Sequence, residues 1–225
     1  MIRLEDAQVL GWEAAIRGMR NPKNSWDKSD SYFGLMEDPE PINPDDWAHI
    51  ILGGNDHDLM MQLRNAGTDH RKFMRMIAVY VDITAPLYWW KEFDTYKVGT
   101  VANSCSTMHK IHAKEFTLDD FSHEHLIGSV VGVDLYPPKQ ELSNTIYTLN
   151  KCRKMFIETK DKVWWWQMIQ LLPSSYNQKR TVMLNYEVLA NIFKSRKSHK
   201  LDEWKDFCRW IESLPYSELI TGGDR

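Results

Sequence analysis

Between Met74 and Ile83 apolar residues fall on both sides of a two-residue repeat, with Met76, Ala78 and Tyr80 on one and Ile77, Val79, Val81 and Ile83 on the other. That pattern predicts a strand buried on both faces, or nearly so. Elsewhere the apolar positions follow a helical period. Glu5 to Met19 places Val9, Leu10, Ala14 and Met19 loosely on one side, which predicts a helix. Asn43-Pro44-Asp45-Asp46 supplies an N-cap, a first-turn proline and acids that match the helix dipole, so a short helix is expected from Pro44 to near Gly53-Gly54. A second helix is expected from about Asp56 to Ala66, ended by Gly67.

Thr84-Ala85-Pro86 closes the strand and opens a helix through Tyr88, Trp89, Trp90 and Phe93. Val98 to Val101 then reads as an extended or loop connection into the polar run Asn103-Ser104-Cys105-Ser106-Thr107. Thr117 and Asp120 have the spacing of a capping box. Pro137-Pro138 opens the longest helical pattern, with Leu142, Ile146, Leu149, Phe156 and Ile157, and a second segment follows from Trp164 to Leu172. Tyr186 to Arg196 and Leu201 to Leu214 complete the chain as amphipathic helices, the latter carrying Leu201, Trp204, Cys208 and Ile211 on one stripe. Helices around one small sheet are the expected architecture.

The segment Asn21 to Asp45 breaks the pattern, because Pro22, Pro39, Pro41 and Pro44 crowd there with Asn, Ser and Asp. It is too short to separate two domains. We read it as a loop excursion or lid within a single domain spanning residues 1–225, a length that suits one sizeable core.

Charge and composition narrow the function. With 28 Lys and Arg against 31 Asp and Glu, the net charge is −3. A protein that grips duplex nucleic acid by neutralising phosphates needs a basic excess, so that class is not expected. The longest uncharged run, Val163 to Gln178, is interrupted by Gln167, Gln170 and Pro173, and falls short of the ~18 apolar residues of a membrane span. Acids at Glu5 and Asp6 stand where a secretory signal would be apolar, so a cytoplasmic protein is expected. Three cysteines without CxxC spacing suggest neither a disulfide framework nor a thiolate zinc site.

Several constellations could carry chemistry. His109, His112, His123 and His125 with Glu124 could converge on a metal, but the HExxH and His-x-Glu patterns are absent and a solvated polar run explains them equally. Cys105 lies four residues before His109 and could be a nucleophile, against the plainer reading of a small packed residue. No GxGxxG, GxxxxGK[ST] or GxSxG occurs, which removes the usual dinucleotide, P-loop and hydrolase readings. Trp164, Trp165 and Trp166 are consecutive, so on a helix they point in three directions and at least one should meet a partner subunit or ligand. Two polar sets have the residue types that hold a phosphate and the imide edge of a pyrimidine or flavin: Lys91, Lys97, Thr100, Asn103, Ser104 and Ser106, and Asn185, Asn191, Arg196 and His199. With a negative net charge, an anionic ligand must be drawn by a few local cations, of which Lys91, Lys97 and Arg196 are candidates.

The block from Ala85-Pro86 through Thr95-Tyr96-Lys97 to Thr100, running on into Asn103-Ser104-Cys105-Ser106-Thr107-Met108-His109, resembles the signature of the flavin-dependent thymidylate synthases. That family reads Ala-Pro, a short helix, then Arg-His-Arg-x-x-Ser-x-Asn-Glu-x-Ser-x-Arg-Tyr. A second block is similar to Leu172-Pro173 followed by Asn185, Leu189, Asn191, Phe193, Arg196 and Ser198-His199. The resemblance covers roughly Asp56 to Leu214. Asn103, Ser106, Asn185, Asn191 and Arg196 match; Thr100 takes the place of the motif serine after one extra residue, Ala102. Lys97 is the one cation kept from Arg-His-Arg, while Ser104, Met108 and His109 replace the motif Glu, Arg and Tyr.

The resemblance implies an α/β (α+β) fold, with a small, mostly antiparallel sheet flanked by many helices. It implies a substrate site at Ser104, Ser106 and Arg196, with the phosphate of a pyrimidine deoxynucleotide such as dUMP on the motif serine-arginine end, here Ser106 and Met108, and on Arg196. It places FAD on Lys97, Thr100, Asn103, Asn185 and Asn191 across the subunit boundaries of a homotetramer. The implied reaction methylates dUMP to dTMP, or performs a related one-carbon transfer, with methylenetetrahydrofolate as donor and NADPH as reductant. The flavin performs the difficult chemistry, so no enzymic thiol is required. Met108 in place of arginine removes a bidentate phosphate donor, which leaves an alternative: a catalytically degenerate relative that binds a nucleotide or protein partner without turnover.

Overall fold

A computed structural model describes residues 2–34, 49–129, 131–132 and 135–223. Its centre is a four-stranded antiparallel sheet of β1 (Arg3–Leu10), β4 (Ala78–Pro86), β5 (Val101–Ser104) and β6 (Asn177–Asn185), in the order β1-β4-β6-β5. A two-stranded antiparallel ribbon pairs β2 (Tyr32–Gly34) with β3 (His49–Ile51). The helices are α1 (Trp12–Arg20), α2 (Gly54–Asn65), α3 (Leu87–Phe93), α4 (Pro138–Thr159), α5 (Lys162–Leu171), α6 (Tyr186–Arg196), α7 (Asp202–Glu212) and α8 (Glu218–Thr221). The expected α/β architecture is therefore the observed one.

The helix expected over Glu5 to Met19 is two elements, a strand and then α1. Leu4 pairs with Ile83 and Val9 with Val79, so this stretch is recruited as an edge strand. Its mostly exposed residues left little two-residue periodicity to read. Gly11 makes the break with φ 92°, and a Cβ there would stand 2.1 Å from the Met76 carbonyl oxygen. The residues that face the core from α1, Trp12, Ala15, Ile16 and Met19, do recur at helical spacing.

The strand expected over Met74 to Ile83 starts later, at Ala78, because Arg71–Met76 forms a 3-10 turn. It is buried on one face: Val79, Val81, Ile83 and Ala85 point into the core, while Tyr80 is 40% exposed beside Asp82 on the other. The helix expected from Pro44 to Gly53 is contradicted at its end, where His49–Ile51 pairs as β3; Pro44 to Ala48 lie outside the described residues. Of the excursion expected over 21–45, residues 21–34 are described and hold two 3-10 turns and β2. Neither β6 nor β1 was visible as a strand in the pattern.

The inner sheet face packs under α1, α2, α3, α6, α7 and α8. The densest part of this core is aromatic, with Trp89 against Trp204 at 4.7 Å and against Phe93 at 5.0 Å between ring centroids. A second cluster, Ile111, Phe116, Phe121, Leu142, Leu149, Cys152 and Met168, forms between the α4–α5 hairpin and the 110–121 segment. The capping box expected at Thr117 and Asp120 is present there and starts a single 3-10 turn. Ser29, Ser31 and the backbone of Asp30 and Ser31 all donate to the fully buried Asp56, which also pairs with Arg20 at 2.6 Å. Burial would raise the Asp56 carboxyl, but the donors from Ser31, Ser29, Arg20 and Asp30 outweigh it and hold it below the usual range.

Candidate functional site

Strand register decides what the outer sheet face presents. Arg3 pairs with Thr84 and Thr84 with Lys179, which sets the three in one cross-strand row. The next row holds Glu5, Asp82, Thr181 and Asn103, and the one beyond it Gln8, Tyr80, Met183 and Val101. Of its apolar members, Tyr80 and Val101 are 40% and 61% exposed and Met183 is partly buried.

At the charged end of the face opens a cleft of about 230 Å³, lined among others by Arg3, Cys105, Ser106, Thr107, Lys114 and Lys179. Its walls are well tied. Cys105 N donates to Lys179 O at 2.9 Å and Gln178 Nε2 to Cys105 O at 2.8 Å, which fixes the chain as it leaves β5. Ser106 Oγ accepts from His109 N at 2.9 Å. Opposite, Asp120 accepts from Lys114 Nζ and from Thr117 N; these donors and the Lys114 charge outweigh the burial that would raise its carboxyl. Asp82 lies below the usual carboxylate range because Lys179 and Thr181 donate to it.

A second, smaller cleft of about 170 Å³ lies beside the loop that leads into β5, lined by Phe93, Asp94, Tyr96, Lys97, Thr100 and Ala102. Lys97 is exposed, whereas the hydroxyl oxygen of Thr100 is buried and has no hydrogen-bond partner among the described residues. Gly99 turns the loop with φ +77°, and a Cβ there would lie 3.0 Å from Asn185 Nδ2. Asn185 caps α6, its Oδ1 accepting from Val188 N at 3.0 Å.

The residues singled out in sequence are thus distributed over three places. Asn103, Ser104 and Ser106 run along and past β5 towards the first cleft. Lys97, Thr100 and Asn185 gather around the second. Asn191 sits apart, its Oδ1 accepting from Arg71 at 3.0 Å beside Glu187. Arg196 joins the second group through Tyr96 and is already engaged: Nε donates to Tyr96 OH at 2.9 Å and one terminal nitrogen to Glu92 Oε2 at 2.7 Å. Its guanidinium lies 4.7 Å from the Trp204 ring centroid, and Trp204 Nε1 donates to the same Glu92 oxygen at 2.8 Å. His199 Nε2 stands 3.4 Å from that oxygen.

Met108, at the motif arginine position, is 45% exposed, and its carbonyl accepts from Trp165 Nε1 at 2.9 Å. Of the three consecutive tryptophans, Trp164 and Trp165 pack against the second cluster and Trp166 is 44% exposed. His123 hydrogen-bonds the Phe121 carbonyl and His125 pairs with Asp202, and no group of metal-binding side chains assembles among the described residues. Sequence reading missed Arg3, Lys114, Lys179 and Arg180, the last of which lies 4.1 Å from the Trp90 ring centroid and pairs with Asp94. Arg3 and Lys179 belong to strands that carried no readable pattern, so only the register could place them together.

The same fold occurs in proteins of known structure. Thymidylate synthase X from Helicobacter pylori, in a structure with FAD and dUMP, matches with a TM-score of 0.67 at 16% identity, over 99% of this chain and 98% of its own. A second structure of that flavin-dependent enzyme, complexed with FAD and dUMP, gives 0.63 at 16% identity over 97% and 99%. The UMP/dUMP methylase PolB from Streptomyces cacaoi, bound with 5-Br dUMP, gives 0.62 at 12% identity over 99% and 94%. The chain has the thymidylate synthase X fold. No family sequence model matches the chain, and neither does any curated protein.

Proposed function

We propose that this protein is a flavin-dependent enzyme that transfers a one-carbon unit to a pyrimidine deoxynucleotide such as dUMP. The observation that carries this reading is the end-to-end fold match, over 99% of this chain, to an enzyme whose structure contains FAD and dUMP. Local chemistry supports it. A buried hydroxyl without a partner at Thr100, an exposed ammonium at Lys97 and an exposed amide at Asn103 are donors suited to an anionic, amide-bearing cofactor, so the residues present fit FAD. Lys97, Thr100, Asn103 and the amide of Asn185 would hold it, with Asn191 at the margin. A flavin supplies hydride transfer.

The remaining work falls to the chain. Ser104 and Ser106 orient the nucleotide beside β5, and the open sheet face, with Tyr80, Val101 and Met183 in one row, is where a second subunit would close the site in a homotetramer. NADPH and methylenetetrahydrofolate are the expected co-substrates, and the cytoplasm the expected location. Absorbance of the purified protein, followed by FAD titration and a dUMP turnover assay, tests the reading. Bound or titratable flavin with formation of dTMP is expected. Absence of flavin binding both with and without dUMP overturns it.

One observation favours a second reading, a nucleotide-binding relative without turnover. Met108 stands where a guanidinium would be, and Arg196 is occupied by Glu92. Flavin and dUMP binding without dTMP formation is its signature.

A further inference from the structure

The resemblance puts the nucleotide phosphate on the motif serine-arginine end, here Ser106 and Met108, and on Arg196; the geometry keeps Ser106 and supplies other cations. We propose that the cleft where β1, β5 and β6 meet the 114–120 loop binds a phosphomonoester dianion through Arg3, Lys114 and Lys179, with Ser106 and Thr107 as hydroxyl donors. Arg196 is then a structural residue that does not touch the phosphate. This rests on the nucleotide reading above for the identity of the ester, but the anion site stands on its own chemistry.

Three cations from three separate chain segments line this one cleft. Their backbones are fixed before any ligand arrives. Arg3 and Lys179 flank Thr84 in one cross-strand row, two strand spacings or roughly 10 Å apart, and long side chains from that distance can converge on one phosphate. Lys114 faces them from a loop pinned on its far side by Asn150, which accepts from Phe116 N at 2.9 Å and donates to Phe116 O at 2.8 Å. Ser106 Oγ accepts from His109 N, so its own proton is free to donate.

The carboxylates nearby set the charge balance. Asp119 and Asp120 also line the cleft. Asp120 is taken by Lys114 and Thr117, and Asp82 holds Lys179 at 2.8 Å, with Glu5 at 3.7 Å. Each ammonium keeps N–H donors beyond those contacts, and Arg3 makes no ion pair among the described residues. Asp119 and Asp120 in the lining, with Asp82 and Glu5 beside Lys179, offset the charge of the three cations, so a dianion is held by their unfilled N–H donors, those of the Arg3 guanidinium above all. Around Arg196 the opposite holds. Its guanidinium is used by Glu92 and Tyr96 and lies beside Trp204, and moving it to a ligand would take the arginine partner from the half-buried Glu92.

Cys105 provides the readout, because it lines this cleft and is exposed while Cys152 and Cys208 are buried. The full-length protein and its Arg3→Gln, Lys114→Gln and Arg196→Gln variants are each titrated with inorganic phosphate, dUMP and deoxyuridine, with and without FAD. Binding is followed by calorimetry and by the rate at which a thiol reagent modifies Cys105, with circular dichroism to verify folding. Phosphate and dUMP should protect Cys105, and Arg3→Gln and Lys114→Gln should each weaken both by about tenfold, as expected for loss of one charge-assisted donor. Arg196→Gln should leave phosphate protection within about twofold, since separate, non-contacting sites act independently.

The proposal is overturned if phosphate and dUMP fail to protect Cys105, or if Arg196→Gln abolishes binding while Arg3→Gln and Lys114→Gln leave it unchanged. Protection by phosphate without flavin binding or dUMP turnover would sink the enzyme reading and keep the anion site. Turnover with an unaffected Arg3→Gln variant would do the reverse.

Discussion

Two cationic clusters, one around Arg196 and one of Arg3, Lys114 and Lys179, use their charge in opposite ways. Arg196 is closed: Glu92 accepts from one terminal nitrogen at 2.7 Å, Tyr96 OH accepts from Nε, and the Trp204 ring lies beside the guanidinium. Arg3, Lys114 and Lys179 line a solvent-reached cleft, where Arg3 makes no ion pair among the described residues and the two lysines, paired with Asp120 and Asp82, keep further N–H donors. The first cluster matches a family motif and the second matches none. A motif selects a residue type at a position; whether its donors are free for a ligand depends on what the fold places beside it. The buried Arg20–Asp56 pair carries the closed case further, since its side chains are 4% and 0% exposed and Asp56 accepts from the backbone of Asp30 and Ser31 as well.

The largest expected effect lies at that buried pair. Asp56→Ala leaves Arg20 charged, buried and unpaired, and should cost about 3–5 kcal/mol in chemical denaturation. A loss below about 1 kcal/mol would mean that the charge finds water and that the site is not closed. The same carboxylate dictates a pH dependence. Its folded pKa lies below the ordinary aspartate value, so its contribution is complete above about pH 4 and is lost as the pH falls through the folded value. Thermal melts from pH 6 downwards should show stability falling below about pH 4 in the wild type, and a shallower fall in Asp56→Asn.

Next in size is Arg196→Ala, which removes the partner of a half-buried carboxylate and should cost about 1–3 kcal/mol of stability. A melting temperature equal to that of the wild type would break the comparison and return Arg196 to the ligand. The smallest effect is expected at Arg3→Gln, an exposed change that should alter stability by no more than about 0.5 kcal/mol. If it destabilises as much as Arg196→Ala, the open cluster is also structural.

How much of this was legible in the sequence varies with the element. The helices α3 to α7 were readable from their periods, most clearly where a stripe is buried: Leu142, Leu149 and Cys152 in α4, and Trp204, Phe207, Cys208 and Ile211 in α7. The strands β1 and β6 were not, for two different reasons. An edge strand with most residues exposed has no apolar alternation to show. In β6 the inward positions Gln178 and Arg180 are polar, and they are accommodated by Cys105, Asp94 and the face of Trp90. The half-buried β4 read as doubly buried because Tyr80 and the neighbouring Met76 are apolar yet 40% and 45% exposed.

For the candidate site, the sequence brought Asn103, Ser104 and Ser106 to notice by their order along one strand, a local property that register preserves. The phosphate cations could not be found in the same way. Arg3, Lys114 and Lys179 are far apart in sequence and carry no spacing signature.

By itself the sequence determined the helix periods, the absence of a long uncharged apolar run and the residue types along β5, all of which are functions of nearest neighbours in the chain. The tertiary structure alone decided which strand edges meet, and therefore which cations face a cleft and which are consumed by a carboxylate. Hydrogen-bond capacity is a short-range quantity. Arg196 has little to spare because Glu92, 104 residues away, is folded against it, whereas the register sets Arg3 in a row with Thr84 and Lys179 and gives it no ion pair among the described residues.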